Sequence, residues 1–277
     1  DISKDDYENF FMFCENVGFE EHYISYADYK EYIRKYKIHN FVETEYIIEK
    51  QRMIKDEEEM SNIIKACNIT DDCYKYILSY IKSGMTEKQI AKEIDDYYIE
   101  RTDGISFDTI VASGENSSKP HAVPTNRKIQ EHDIITIDMG CKVNGYCSDM
   151  TRTFFVGEPT EEMKEVYDLV LSNQEFALDQ YKEGASTRQV TKMVENDFKL
   201  NGYDLIHSLG HGVGLEIHEP PYVGYRNDTT LRENMVVTDE PGIYIPGKFG
   251  VRIEDTVQIT KFGCVSLTTS EKGYVII

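Results

Sequence analysis

Four carboxylates stand where paired strands would bring them together, and that arrangement limits the chemistry open to the chain. Asn144-Gly145 is a preferred two-residue hairpin turn. With those two as loop residues, Val143 faces Tyr146, and Asp138 and Asp149 fall diagonally across the two strands on one face. A second hairpin turns at Pro246-Gly247-Lys248, and with Gly247 central, Glu240 and Glu254 stand directly opposite each other. Singly, each acid reads as an ordinary solvated strand residue. Two converging pairs do not, because such charges repel unless protons or cations compensate. A metal is the simplest compensation. The fifth ligand candidate is His211, in Gly210-His211-Gly212-Val213-Gly214. Its three glycines argue against the helix that an i, i+4 zinc pair needs and for extended backbone passing close to a site. Four carboxylates and one imidazole exceed what a single ion takes while keeping open positions, so they suit two divalent ions. Oxygen-rich ligation with one nitrogen fits Mn²⁺, Co²⁺, Fe²⁺ or Zn²⁺, with metal supply rather than affinity deciding among them. Such a pair can polarise a carbonyl and generate a nucleophile from water, which points to hydrolysis.

The elements that position these residues come in two sets. Lys82-Ser83-Gly84-Met85-Thr86-Glu87-Lys88-Gln89-Ile90 is echoed, 100 positions later, by Lys182-Glu183-Gly184-Ala185-Ser186-Thr187-Arg188-Gln189-Val190. In each copy a glycine can end one helix, and Thr86…Gln89 or Ser186…Gln189 forms a capping box for the next. Amphipathic helices are expected before each copy, over 56–82 and 160–182. Extended segments follow: 106–113, 133–140 and 145–156 in the first half, 235–245 and 250–260 in the second. Two halves, each a helix pair followed by a hairpin, make an α+β fold. Residues 1–48 mix short helices (6–16, 26–37) with short strands (22–25, 40–43), too little to close a sheet, and a domain boundary is placed at Glu49.

Composition narrows the partners. Thirty Lys+Arg against 50 Asp+Glu give a net charge of −20, which removes the electrostatic attraction on which nucleic-acid binding and adhesion to anionic membranes depend. No apolar run approaches the ~20 residues of a membrane span, and the acidic start, Asp1-Ile2-Ser3-Lys4-Asp5-Asp6, does not read as an export signal. Six cysteines without a C-x-x-C pair read as reduced thiols of a cytoplasmic enzyme.

A family resemblance rests on Ile137-Asp138-Met139-Gly140, the segment from Gly145 to Thr153, Gly210-His211-Gly212-Val213-Gly214, His218-Glu219-Pro220-Pro221, Glu240-Pro241-Gly242-Ile243-Tyr244 and Val251-Arg252-Ile253-Glu254-Asp255. In this order, over roughly residues 50–277, they resemble the M24 "pita-bread" metallopeptidases of the aminopeptidase P and prolidase branch. The resemblance implies a pita-bread fold with an internal pseudo-twofold repeat, preceded over 1–48 by a remnant of a creatinase-type N-terminal domain, and a homodimer. It also implies that Asp149 and Glu254 bridge two ions, that Asp138 chelates one, and that His211 with Glu240 holds the other. Glu240 would receive a proton from water and pass it to the leaving proline nitrogen. His121 and His218 match family histidines that hydrogen-bond the scissile carbonyl or the tetrahedral intermediate. Arg252 would orient carboxylates, and His207 would line the substrate pocket. His22, His39 and His132 match nothing and read as surface histidines.

The implied substrates are peptides with proline in second place, whose tertiary amide most peptidases reject. A strict dipeptidase should hold the free carboxylate with an arginine. Family prolidases often place one just after His-Glu-x-Pro, where Tyr222 stands here, with Arg226 the nearest alternative. The expectation is therefore an Xaa-Pro aminopeptidase acting on longer peptides, with prolidase the alternative. Methionine aminopeptidase shares the constellation but not the His218–Pro221 wording. Non-catalytic pita-bread modules abandon ligand residues that this chain retains.

Overall fold

Helix pairs and interrupted hairpins repeat along the chain. The structure, a computed structural model, describes residues 10–11, 13–226 and 228–277. Its two compact units are Asp1–Gln51 and Arg52–Ile277. In the smaller unit, strands β1 (Val17–Glu20) and β2 (Phe41–Thr44) pair in parallel around helix α1 (Tyr26–Tyr36). The strand expected over 22–25 is a turn instead, because Ser25 caps α1 through the amide of Asp28. Of the helix expected over 6–16, residues 6–9 and 12 lie outside the described residues; 10–11 are helical, and 13–16 are turn and bend rather than helix. Helix α2 (Ile47–Arg52) ends at the division between the units.

The larger unit opens on helix α3 (Glu57–Tyr80), started by an Asp56/Glu59 capping box. Helix α4 (Glu87–Ile99) follows, then β3 (Ile110–Ser113), β4 (Ile134–Met139), β5 (Lys142–Val143), β6 (Tyr146–Cys147) and β7 (Met150–Phe155). The second half has α5 (Glu161–Gln180), α6 (Thr187–Leu200), β8 (Gly210–Gly212), β9 (Glu219–Val223), β10 (Val236–Asp239), β11 (Gly242–Ile245), β12 (Phe249–Arg252), β13 (Asp255–Ile259) and β14 (Cys264–Ser266). Two sheets result, ordered β3-β4-β7 and β14-β13-β10-β8-β9, with β5/β6 and β11/β12 continuing their hairpins as two-stranded ribbons.

The echoed segments do the same work in each half. Ile129 pairs with the turn through Gly84 N to Ile129 O (2.9 Å) and Ile129 N to Met85 O (2.8 Å). Gly184 N to Leu231 O and Leu231 N to Ala185 O repeat them at 2.8 Å each. Both glycines have positive φ, +90° and +88°, but they lie in the turn beyond the helix rather than at its end. The helices stop at Tyr80 and Gln180, and Ile81 and Tyr181 are already extended. Thr86 and Gln89 form the full capping box, while Ser186 accepts from the Gln189 amide and donates to Asp228.

Both hairpin registers follow from their turns. Asp138 pairs with Thr151, Lys142 with Cys147, Gly242 with Arg252 and Val236 with Gln258. Alternation along β4 sends Ile135, Ile137 and Met139 into one apolar core with α3 and α4, and Asp138 to the opposite face. In the second half Val237 joins the core under α5 and α6, leaving Thr238 and Glu240 on the other face. The two inner faces carry the acids. All six cysteines are free.

Candidate metal centre

The hairpins are not continuous ladders, and three of the acids occupy the gaps. Between β4/β7 and β5/β6 the break spans 140–141 and 148–149, which includes Asp149; between β10/β13 and β11/β12 it spans 240–241 and 253–254, which includes Glu240 and Glu254. Backbone groups released from pairing find partners elsewhere. Glu240 N donates to Leu209 O (2.8 Å) and Glu254 N to Thr151 O (3.1 Å). The latter bond ties the second half's acid to the first half's strand.

His211 arrives on β8, as bare extended backbone. A Cβ at Gly210 would stand 2.1 Å from Thr238 O, and one at Gly212 2.4 Å from Pro220 O, so only glycine permits this approach. His211 N donates to Thr238 Oγ1 (3.0 Å), and Nδ1 lies 3.1 Å from Gly212 O. A proton on Nδ1 leaves Nε2 with a lone pair, pointed at Asp149 Oδ2 (3.5 Å) and Glu240 Oε1 (3.3 Å). Ligand atoms of Asp149, His211 and Glu254 all lie within 4.8 Å of one another, and all three residues are buried. Asp138 and Glu240 complete the lining on the same cavity wall.

The donor set fits divalent ions. Burial, and then the charges of Glu254, Asp138 and Glu240, push the Asp149 carboxyl well above its usual range. Burial, then Glu240 and Asp138, does the same to Glu254, and burial raises Glu240. Asp138 Oδ1 and Glu254 Oε1 are buried with no hydrogen-bond partner in the protein. Carboxylates crowded this way, with oxygens aimed inward and an imidazole nitrogen beside them, are what cations stabilise.

Arg252 on β12 supplies the only guanidinium along this wall among the described lining residues. It is buried and donates to Asp138 Oδ2 (2.7 Å), Thr151 Oγ1 (3.0 Å), Pro120 O (3.0 Å) and Tyr244 OH (2.7 Å). Tyr244 OH lies 3.0 Å from His207 Nε2, and His207 Nδ1 lies 2.8 Å from Ser208 O. A single proton arrangement satisfies this chain: Arg252 donates to Tyr244, Tyr244 to His207, and His207 to Ser208. Burial lowers the His207 pKa and keeps that ring neutral, and it raises the Tyr244 phenol to about 12.

A cavity of about 470 Å³ collects Asp138, Asp149, His211, Glu240 and Glu254 with His121, His207, His218, Tyr222 and Arg252. Apart from Arg226, which lines a neighbouring cavity with His207, Ser208 and Tyr222, every residue singled out in the sequence as a site candidate therefore lines one space. The His218 ring stacks edge-on to His211 at 4.4 Å between centroids, and burial followed by the His211 charge lowers its pKa. His121 and His218 are exposed to the cavity mouth, and Tyr222 is partly exposed. Sequence reasoning missed Thr151, Thr238 and Tyr244. Thr151 donates to Glu254 Oε2 (2.7 Å) and Thr238 to Glu240 Oε1 (3.3 Å). A signal existed: Thr238 is two residues before Glu240 and Thr151 two after Asp149, on the ligands' own strand face.

Duplicated halves closing on a buried acid and imidazole cluster define a metal-dependent hydrolase. Residues 61–261 match the model of metallopeptidase family M24. The Xaa-Pro dipeptidase of Pyrococcus furiosus is 40% identical over 254 residues, covering 90% of this chain and 72% of that protein. Among solved structures, an X-Pro aminopeptidase from Thermotoga maritima superposes with a TM-score of 0.90 at 36% identity, covering 96% of this chain and 76% of that one. The prolidase of Pyrococcus horikoshii also reaches 0.90, at 38% identity and 99% and 79% coverage. The chain belongs to metallopeptidase family M24, in its aminopeptidase P and prolidase branch, with the pita-bread fold, and is a metal-dependent Xaa-Pro peptidase. No helix among the described residues is long and apolar enough to cross a membrane.

Proposed function

We propose that this enzyme holds two divalent ions, Mn²⁺ foremost, between Asp138, Asp149, His211, Glu240 and Glu254, and hydrolyses the bond before proline in Xaa-Pro dipeptides. The observation that carries the hydrolytic reading is the inward convergence of those five side chains, with two carboxylate oxygens lacking any protein partner. When bound, the ions supply Lewis acidity and bring the pKa of water toward neutrality. The protein's own residues do the rest. Glu240, 3.3 Å from His211 Nε2, is placed to take a proton from the attacking water and return it to the proline nitrogen. His218 and His121, at the same cavity wall, offer ring N–H groups to the developing oxyanion. Arg252 fixes Asp138 and, through Tyr244, the neutral His207.

Dipeptide preference is supported by the relatives, several of which are described as dipeptidases or prolidases. A second reading, cleavage of longer peptides, is favoured by one residue: Tyr222, rather than an arginine, lines the cavity just past His218-Glu219-Pro220-Pro221. Comparing rates on Ala-Pro, Ala-Pro-Ala and Met-Ala with added Mn²⁺ decides. Release of proline from Ala-Pro at the highest rate is expected. Faster cleavage of Ala-Pro-Ala selects the aminopeptidase reading, and cleavage of Met-Ala alone overturns both.

A further inference from the structure

One fully buried anion lies outside the metal cluster and touches no cation directly. Glu87, the first residue of α4, has no exposed surface. Its two oxygens accept five hydrogen bonds, all from a single loop. Oε1 takes Ser113 N and Ser113 Oγ, each at 2.7 Å. Oε2 takes Asn116 Nδ2 (2.9 Å), Thr125 N (2.9 Å) and Thr125 Oγ1 (2.6 Å). A buried carboxylate needs such donors, and the N-terminus of α4 adds a favourable dipole. Arg127 assists at one remove, donating to Ser113 Oγ (2.7 Å) while it grips Asp133. Glu87 thus ties down both ends of the loop from Ser113 to Thr125.

That loop reaches the active site at its centre. Pro120 O accepts from Arg252, and His121 lines the cavity. Ser117 Oγ accepts from Gly250 N (2.9 Å), and a Cβ at Gly250 would stand 2.2 Å from Ser117 O, so the loop lies directly on β12. The second half offers a comparison. The position equivalent to Glu87 is Thr187, whose side-chain hydroxyl accepts one neutral bond, from Thr229 N at 3.0 Å. The second half's loop also carries a cavity histidine, His218, but its far end is held by that neutral contact rather than by a buried carboxylate.

We propose that Glu87 is a positioning residue for catalysis, holding the 113–125 loop so that His121 meets the substrate carbonyl. This rests on the proposed role of His121, and the test separates the two. Glu87→Gln, His121→Ala and the double variant, each loaded with Mn²⁺, are compared on an Xaa-Pro substrate, with hydrogen exchange followed over residues 114–125. Glu87→Gln keeps the shape but faces Asn116 Nδ2 and the Thr125 amide with a donor. It is expected to lower kcat about tenfold with KM little changed, since small misplacements of a catalytic group are costly. Exchange should accelerate in the loop alone. In the His121→Ala background the same substitution should cost less than about twofold, the non-additivity of residues acting as one unit. Losses that multiply, or an unchanged kcat in Glu87→Gln, overturn the proposal. A wild-type rate in His121→Ala overturns the role of His121 and the proposal with it, whereas multiplied losses overturn the proposal alone. If Glu87→Gln does not fold, Thr125→Val, which removes one donor and no charge, goes through the same cycle with the same deciding outcomes.

Discussion

The two halves share a frame and differ where the chemistry is done. Hairpin register makes Asp138 the counterpart of Glu240, Thr136 of Thr238 and Thr153 of Thr256. By the same register Thr151 corresponds to Glu254, and Asp149 to Arg252. The break in each hairpin is shifted by two residues between halves, so Glu240 and Glu254 both lie in their gap while Asp138 stays inside β4. Strict repetition would set two like clusters of acids against each other. At the position matching Asp149 the second half carries a guanidinium instead, and Arg252 pairs with Asp138 across the interface between the halves. The repeat supplies position, and the departures from it supply charge balance.

Removing an acid from either half should have the largest effect. Asp149→Ala and Glu254→Ala are expected to lose metal and activity together, read by elemental analysis and hydrolysis of Ala-Pro. Retained turnover with the metal gone would break the equivalence of the two halves' contributions. Next comes His218→Ala, which should keep its ions and slow turnover by ~10²-fold, as loss of an oxyanion donor does. Loss of metal in that variant would make His218 a ligand instead. Arg252→Lys keeps the charge but not four directed hydrogen bonds, and should cost about 10–100-fold in metal affinity or activity. Metal titration beside kinetics distinguishes those two.

The smallest effect concerns a difference between the halves that lies off the site. Asp239 occupies the place that Ile137 has in the first half, on the core face of β10, and neither of its oxygens has a partner in the protein. Burial, then the Asp255 charge, holds its carboxyl well above the usual range. Above pH ~4 the unfolded chain ionises there while the folded chain does not, so this position's contribution to stability falls as pH rises toward the folded value. Asp239→Val should therefore stabilise by ~1–2 kcal/mol, with a larger gain in melting temperature at pH 7 than at pH 5. An equal gain at both pH values would show that Asp239 is not held protonated.

Much of this was legible in the residues because strand geometry is strict. A period of two and a defined turn place Asp138 beside Asp149 and Glu240 opposite Glu254 without further information. Glycines at 210, 212 and 214 likewise marked close backbone approach. The break at 240–241 was not legible, since nothing local forbids pairing there; it arises because Glu240 N and Glu254 N bond outside their own hairpin, to Leu209 O and Thr151 O. Strand β9 was missed because Pro220 and Pro221 argue against a strand, yet it forms the edge of its sheet, where proline is tolerated. The segment 106–109 was read as strand, but β3 begins only at Ile110, with Ser106 bonded to Gly140 O and Cys141 O and Thr109 to Asp95. Thr151 and Thr238 were open to reading as same-face neighbours of the ligands, whereas the role of Tyr244 depends on its contacts with Arg252 and His207, which spacing does not reveal.

Stoichiometric titration of the metal-free protein with Mn²⁺ tests the central claim most directly. Two ions per chain are predicted, both lost when either Asp149 or Glu254 is truncated. A fully folded, active wild-type chain that binds none would contradict it.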